Sequence, residues 1–296
     1  MIEVQSLCKV YGKKTVLDDL SFRVEPGTIT GFVGPNGAGK STTMKIIMGL
    51  EAPTSGVTLV DGKPFSQAAN PTKTLGCCLG PEFMPQKMRG ADFLSYVCRV
   101  SGIQDADVDS ALDYVGLGGA GRKRISEYSL GMRQRLGIAA ALMGDPDNLM
   151  FDEPINGLDV DAIRWVRGMF AALAARGKTV FISSHIMSEL EKVADRVIII
   201  QNGRVTRDGS IEELERREAK GLVVALRSTR VHEVAELVSG AGVTCKLEGD
   251  TLLIDGMPPA QVGAMVYGNG LTLDYLEAKR MNLEELFMET KEGENE

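Results

Sequence analysis

Residues Gly34–Ser41 read Gly-Pro-Asn-Gly-Ala-Gly-Lys-Ser, a complete phosphate-binding loop between the β-branched run Thr28–Val33 and the helix-patterned Thr42–Met48. Such a loop works only where a strand delivers it and a helix receives it, so the motif fixes the local fold. Gly34, Gly37 and Gly39, with Pro35, Asn36 and Ala38 between them, let successive backbone N–H groups turn inward around a phosphate chain. The helix N-terminus that follows adds partial positive charge at the same place. Lys40 offers a point cation for β- and γ-phosphates, Ser41 a hydroxyl for the magnesium that travels with them, and Thr42 carries the loop into the helix. A glycine-rich turn that binds nothing has no use for Lys-Ser in this setting. The chain is expected to bind a nucleoside triphosphate.

The remaining composition narrows what the binding serves. A length of 296 residues allows one large or two medium domains, and 44% hydrophobic with 25% charged residues is an ordinary soluble balance. A net charge of −7 argues against a nucleic-acid binder, which gathers phosphates through surplus Lys and Arg. No run approaches the roughly 18 apolar residues of a membrane span, and Leu136–Met143 is short enough to be a buried helix. The opening Met-Ile-Glu-Val lacks the basic start and apolar middle of a signal peptide, so the cytoplasm is the expected compartment. The five cysteines, Cys8, Cys77, Cys78, Cys98 and Cys245, are odd in number and lack metal-ligand spacing, which fits free thiols. Neighbouring Cys77 and Cys78 read as buried strand residues, with a redox pair as the alternative.

Hydrophobic periodicity divides the chain. Residues 1–60 are short-period and β-rich, with Ile2, Val4, Leu20, Phe22, Val24 and Ile29 punctuated by Gly and Pro. From about 91 to 117 the period becomes helical, the start of an insert placed at about 89–142. Strands Asn148–Phe151, Thr179–Ser183 and Arg196–Ile200 then alternate with helices Met132–Met143, Asp161–Ala175 and Met187–Val193, the pattern of a parallel α/β core. This first domain is assigned to 1–209. Ser210 with Glu213 suggests a capping box opening a charged linker helix, 210–220. The unit 221–296 reads as strand Leu222–Arg227, helix Val231–Ser239, strand Val243–Glu248, strand Thr251–Asp255, helix Pro258–Tyr267 and strand Leu271–Leu276. That βαββαβ order is ferredoxin-like and makes a small α+β domain. A closing helix Asn282–Met288 and a polar tail Lys291–Glu296 complete it.

Leu149–Phe151 is apolar and ends in Asp152-Glu153. Carboxyl ends of parallel strands are where ligands sit, so Asp152 is placed to reach the magnesium shell and Glu153 to polarise or orient an attacking water. A second glycine pattern, Gly116–Gly121, formally satisfies Gly-x-Gly-x-x-Gly but follows a helix, and it reads as a flexible connector. His185 closes an apolar strand at a ligand edge, whereas His232 has no such setting and is expected to face solvent.

The phosphate loop, Tyr128-Ser129-Leu130-Gly131-Met132, Asp152-Glu153, Asn156-Gly157-Leu158-Asp159 and His185 after Ser183-Ser184 stand in the order found in ATP-binding subunits of ABC transporters. The chain resembles that family over about 1–201. The resemblance implies a P-loop ABC-type ATPase domain with a parallel core sheet, an antiparallel β edge and a helical insert. It implies that Tyr11 stacks on adenine, and that Ser129 and Gly131 clamp the γ-phosphate of ATP held by the opposite subunit. Asp159 then matches the loop aspartate that communicates across the dimer, and His185 the histidine that contacts the γ-phosphate and the catalytic water. Further implied are ATP and Mg2+ as ligands, ATP hydrolysis, a homodimer or pseudo-dimer, and an integral-membrane permease partner.

The C-terminal domain resembles the appendage of subunits that pair with drug, antibiotic or lantibiotic exporters of the ABC-2 class. The expectation is therefore export, with the chain peripheral on the inner face of the cell membrane and no nucleic-acid partner. The alternatives are a soluble ATPase of similar architecture acting on nucleic acid or the ribosome, and an ATP-binding regulator with little turnover. Leu130 and Met132 depart from the family's Ser-Gly-Gly-Gln signature. Gly80 stands where a glutamine is expected to complete the metal shell, and Glu82 or Gln86 is left as the substitute.

Overall fold

Alternating apolar residues draw the first two strands into a hairpin. Strand β1 (Ile2–Tyr11) pairs antiparallel with β2 (Lys14–Val24), setting Ile2 against Val24, Val4 against Phe22 and Leu7 against Leu20. Strand β4 (Ser55–Val60) joins the other side of β1 and completes an antiparallel sheet in the order β2-β1-β4. A computed structural model describes residues 1–80, 84–104, 106–218 and 223–279. The chain divides into two compact units, Met1–Ser210 and Ile211–Glu296.

The second sheet of the first unit carries the phosphate loop. Strands β3 (Ile29–Val33), β5 (Leu75–Cys78), β6 (Asn148–Phe151), β7 (Thr179–Ser184), β8 (Arg196–Gln201) and β9 (Arg204–Ser210) lie in the order β5-β6-β7-β3-β8-β9. Neighbours from β5 to β8 are parallel, and β9 returns antiparallel along β8. Strands β3, β6 and β7 are buried at every residue, which explains their unbroken apolar runs. Phe22, Phe32 and Phe181, with ring centroids 5.3–5.6 Å apart, fill the space between the two sheets. Met44 and Ile47 of helix α1 (Lys40–Ile47) belong to the same core. Helix α6 (Val160–Ala175) presses Phe170 onto Phe151 at 5.0 Å.

Short helix α2 (Pro71–Thr74) leads into β5. Helices α3 (Gly90–Val100), α4 (Val108–Tyr114) and α5 (Leu130–Leu142) close around Leu94, Leu112, Ile125 and Leu136 as a separate small core. The Gly116–Gly121 segment between α4 and α5 is not a loose connector. Leu117 is buried, its N–H donates to the Leu112 carbonyl at 2.7 Å, and a 3₁₀ turn spans Gly118–Ala120. Helix α7 (Met187–Leu190) is a single turn, shorter than its apolar pattern suggests.

In the second unit, helix α8 (Ile211–Glu218) precedes strands β10 (Val223–Arg227), β11 (Cys245–Glu248), β12 (Thr251–Asp255) and β13 (Tyr275–Lys279). Helix α9 (Val231–Gly240) separates β10 from β11, and α10 (Pro259–Gly268) separates β12 from β13. The antiparallel order β11-β12-β10-β13 is the ferredoxin-like arrangement.

Two further sequence expectations shift. The last strand lies at Tyr275–Lys279 rather than Leu271–Leu276, because Leu271 is used to cap the domain core and pairing begins only at Tyr275 opposite Arg227. Residues 204–210 carried no strand assignment, yet they form β9, whose mixed polar sequence suits an exposed sheet edge. The expected closing helix and polar tail at 282–296 lie outside the described residues.

The phenylalanine cluster is the main junction between the sheets, so Phe32→Ala should lower unfolding free energy by about 3–5 kcal/mol in a denaturant titration. A loss below about 1 kcal/mol would mean that the cluster is dispensable.

Candidate nucleotide site

Chain direction delivers the loop to its place. Strand β3 ends at Val33, and the Gly34 N–H donates to the Ser184 carbonyl of β7 at 3.3 Å. A Cβ at Gly34 would collide with the Ile200 carbonyl, so backbone closeness alone demands glycine there. Gly37 and Gly39 adopt φ of 85° and 109°, and a Cβ on Gly39 would sit on the Leu17 side chain. The chain then enters α1 at Lys40, with the Thr43 hydroxyl donating back to the Gly39 carbonyl at 2.9 Å. Ser41 is exposed on the first turn and Thr42 is half-buried beside it.

Lys40 is nearly buried, and its charge is fully engaged. Its Nζ donates to the Gly34 carbonyl at 2.7 Å and lies 3.5 Å from Glu153 Oε1. Asp152 and Glu153 directly follow β6, and Ser183, Ser184 and His185 close β7. The parallel ladder pairs Phe151 with Ile182, which brings the two strand ends side by side. Ser183 Oγ donates to Asp152 Oδ1 and accepts the Glu153 N–H, the latter at 2.9 Å. His185 Nδ1 stands 2.9 Å from Glu153 Oε2. The Glu153 carboxylate is thus shared between an ammonium and an imidazole. Its backbone is held at φ 50°, a left-handed conformation that non-glycine residues seldom adopt.

The other predicted residues occupy helix starts and the sheet edge. Ser129 is the N-cap of α5, its Oγ accepting the Met132 N–H at 3.2 Å, so this helix opens at Leu130, two residues earlier than its sequence pattern suggests. Gly131 follows in the first turn against the Gly157 carbonyl and the Leu158 side chain. Asp159 is the N-cap of α6, accepting the Ala162 N–H at 2.8 Å. Tyr11 is partly exposed, with Lys9 Nζ 4.7 Å from its ring centroid. Its hydroxyl donates to Glu51, which raises the phenol pKa above its ordinary value.

The segment expected to supply a further metal ligand is different in kind. Gly80 has φ 134°, Glu82 lies outside the described residues, and exposed Gln86 donates to the Met84 carbonyl at 3.1 Å. Cys77 and Cys78 lie on β5 outside any disulfide, and burial pushes the Cys77 thiol well above its usual range, which fits a packed strand residue. His232 is exposed.

The sequence profile of the ABC transporter family matches residues 17–156. The bacitracin transport ATP-binding protein BcrA of Enterococcus faecalis is 38% identical over 223 residues, covering 74% of this chain and 72% of that protein. The chain belongs to the ABC transporter ATP-binding proteins. The Nod factor export ATP-binding protein I of Cupriavidus metallidurans is 30% identical over 294 residues, 97% of this chain and 96% of that one. A solved ATP-binding subunit of an ABC transporter superposes with TM-score 0.66 at 26% identity, over 73% of this chain and 92% of its own. This ABC subunit is therefore an ATP-binding ATPase.

Two contributors to the site escaped sequence reading. Ser183 was signalled only as a hydroxyl at the end of a buried apolar strand, and Gln134 is a buried amide inside a helix whose neighbours are basic. Among the described residues no cluster of His, Cys, Asp or Glu could by itself cage a metal ion. Ser41 and Asp152 are hard oxygen donors, the set Mg2+ takes when phosphates and water fill the remaining positions.

The positive φ at Gly39 and its closeness to Leu17 make substitution there costly twice over. Gly39→Val should destabilise the first unit by about 1–3 kcal/mol in thermal or denaturant unfolding and abolish retention on immobilised ATP. Unaltered stability and retention would refute the geometry of the loop.

Proposed function

We propose that this ATPase is the motor of an exporter, peripheral on the inner face of the cell membrane and paired with an integral permease of the ABC-2 class that moves a drug, antibiotic or peptide. The reading of the motor rests on one observation: Lys40 of the phosphate loop and His185 of β7 meet on the same Glu153 carboxylate. Transport is supported by the name of the bacitracin relative, and export by that of the Nod factor relative. Among the described residues no helix is long and apolar enough to cross a membrane, so the cargo route is assigned to another chain.

In this mechanism the loop N–H groups and the α1 N-terminus hold the triphosphate, and Tyr11 stacks on adenine. Lys40 exchanges the Glu153 carboxylate for β- and γ-phosphate oxygens, which releases Glu153 for the water. Ser41 and Asp152 would hold Mg2+, whose chemistry is to neutralise developing charge on the phosphates. Glu153 accepts the proton of the water that attacks the γ-phosphorus as the bond to the β-phosphate oxygen breaks. His185 orients Glu153 and the transferred group.

Ser129 and Gly131 present a helix start to the γ-phosphate bound by a second cassette, so two nucleotides are part of the dimer interface, with Asp159 beside it. Cleavage removes that bridge and the cassettes separate.

Glu153→Gln should abolish steady-state hydrolysis while keeping ATP binding, and should trap an ATP-bound dimer visible by scattering. Turnover at the parent rate would overturn the assignment of the base. Lys40→Ala should weaken ATP by about 2 kcal/mol, the scale of a charge-assisted contact. For Tyr11→Ala the expected loss is about 1–3 kcal/mol, with Tyr11→Phe close to the parent; equal affinities for all three would remove Tyr11 from the site.

A further inference from the structure

The peptide of Glu153 is held from two sides. Its N–H is bound by Ser183 Oγ at 2.9 Å, and its carbonyl accepts Gln134 Nε2 at 3.1 Å. Gln134 belongs to α5, the helix that Ser129 caps, and it is 2% exposed. A buried primary amide is costly to desolvate unless its polar atoms are bonded, and this one is directed at a carbonyl in the nucleotide site.

The same stretch of α5 touches the rest of the segment leading from Glu153. The Leu130 side chain lies where a Cβ of Gly157 would be, Gly131 faces the Gly157 carbonyl, and Arg135 Nη2 is 4.0 Å from Asp159 Oδ2. The left-handed φ of Glu153 is a strained conformation, and such conformations persist where surrounding contacts over-determine them.

We infer that Gln134 is a positioning residue for hydrolysis, fixing the Glu153 peptide and thereby tying the aim of its carboxylate to the signature helix α5. It acts through Glu153. The leverage follows from geometry. A carboxylate three bonds from its Cα swings when the peptide plane tilts, and a shift near 1 Å at a reacting group lowers rate far more than affinity. Displacement of α5 would reach the base most directly through this hydrogen bond, while the phosphate loop, built on β3 and α1, would stay in place.

This inference rests on Glu153 being the base, and the experiment separates the two claims. In the full chain, Gln134→Met keeps the side chain's length and removes the donor. Its kcat for ATP should fall about tenfold or more, with KM and the affinity for a fluorescent ATP analogue within about twofold of the parent. In a Glu153→Gln background the same change should add no further loss, because both act on one group.

If Gln134→Met folds poorly, Gln134→Glu, which keeps the shape and replaces the donor by an acceptor, should give the same split. Unchanged kcat in a folded variant overturns the clamp while leaving the base intact, as does a matched loss of kcat, analogue affinity and unfolding temperature. Full turnover in Glu153→Gln alone overturns the base, and the clamp with it.

Discussion

The parallel register of three adjacent strands is the constraint on which the rest of this molecule depends. Because β7 lies between β6 and β3, with Val33 opposite Ser184 and Phe151 opposite Ile182, all three strands terminate at one edge. The phosphate loop, the paired carboxylates and the histidine are each the first residues past that edge. Parallel pairing needs both faces covered, and the phenylalanine cluster on one side and Phe170 on the other meet that need. Slipping β6 by one residue against β7 would exchange the faces that Asp152 and Glu153 occupy and dismantle the site.

At the edge itself, charge is balanced pair by pair. A nearly buried ammonium such as Lys40 is stable only when carbonyls and a carboxylate surround it, and Gly34 and Glu153 meet that requirement. Asp152 and Glu153 are neighbouring anions that would repel if they pointed together. Ser183 separates them by donating to one and accepting from the peptide of the other. The positive φ at Glu153 follows from this division, since the chain has to turn sharply for the second carboxylate to face His185 and Lys40. Strain, hydrogen bonding and the aim of the Glu153 carboxylate therefore have a common origin at one peptide.

Much of this was readable in advance where a local pattern carries its own physical reason. Glycines before Lys-Ser, an apolar run ending in two acids and a histidine at a strand end each signal a ligand edge without any knowledge of neighbours. Long-range pairing was less legible. Strand β9 was missed because an exposed edge strand has few apolar residues to announce it, and β13 was displaced because Leu271 and Leu273 contribute to the core before the strand begins. The short α7 follows from the same cause, since Leu190 packs and then the chain must return to form β8.

The family, the glycine-rich turn after β3 and the residue types available for chemistry were set by the sequence alone, because these are written in contiguous segments whose spacing is set by backbone geometry. The tertiary structure alone decided who meets whom. Nothing in the order of residues says that Ser183 divides Asp152 from Glu153, or that Gln134 reaches the Glu153 carbonyl across 19 positions. Those contacts depend on strand order and helix packing, which are set by the whole core rather than by any one stretch of chain.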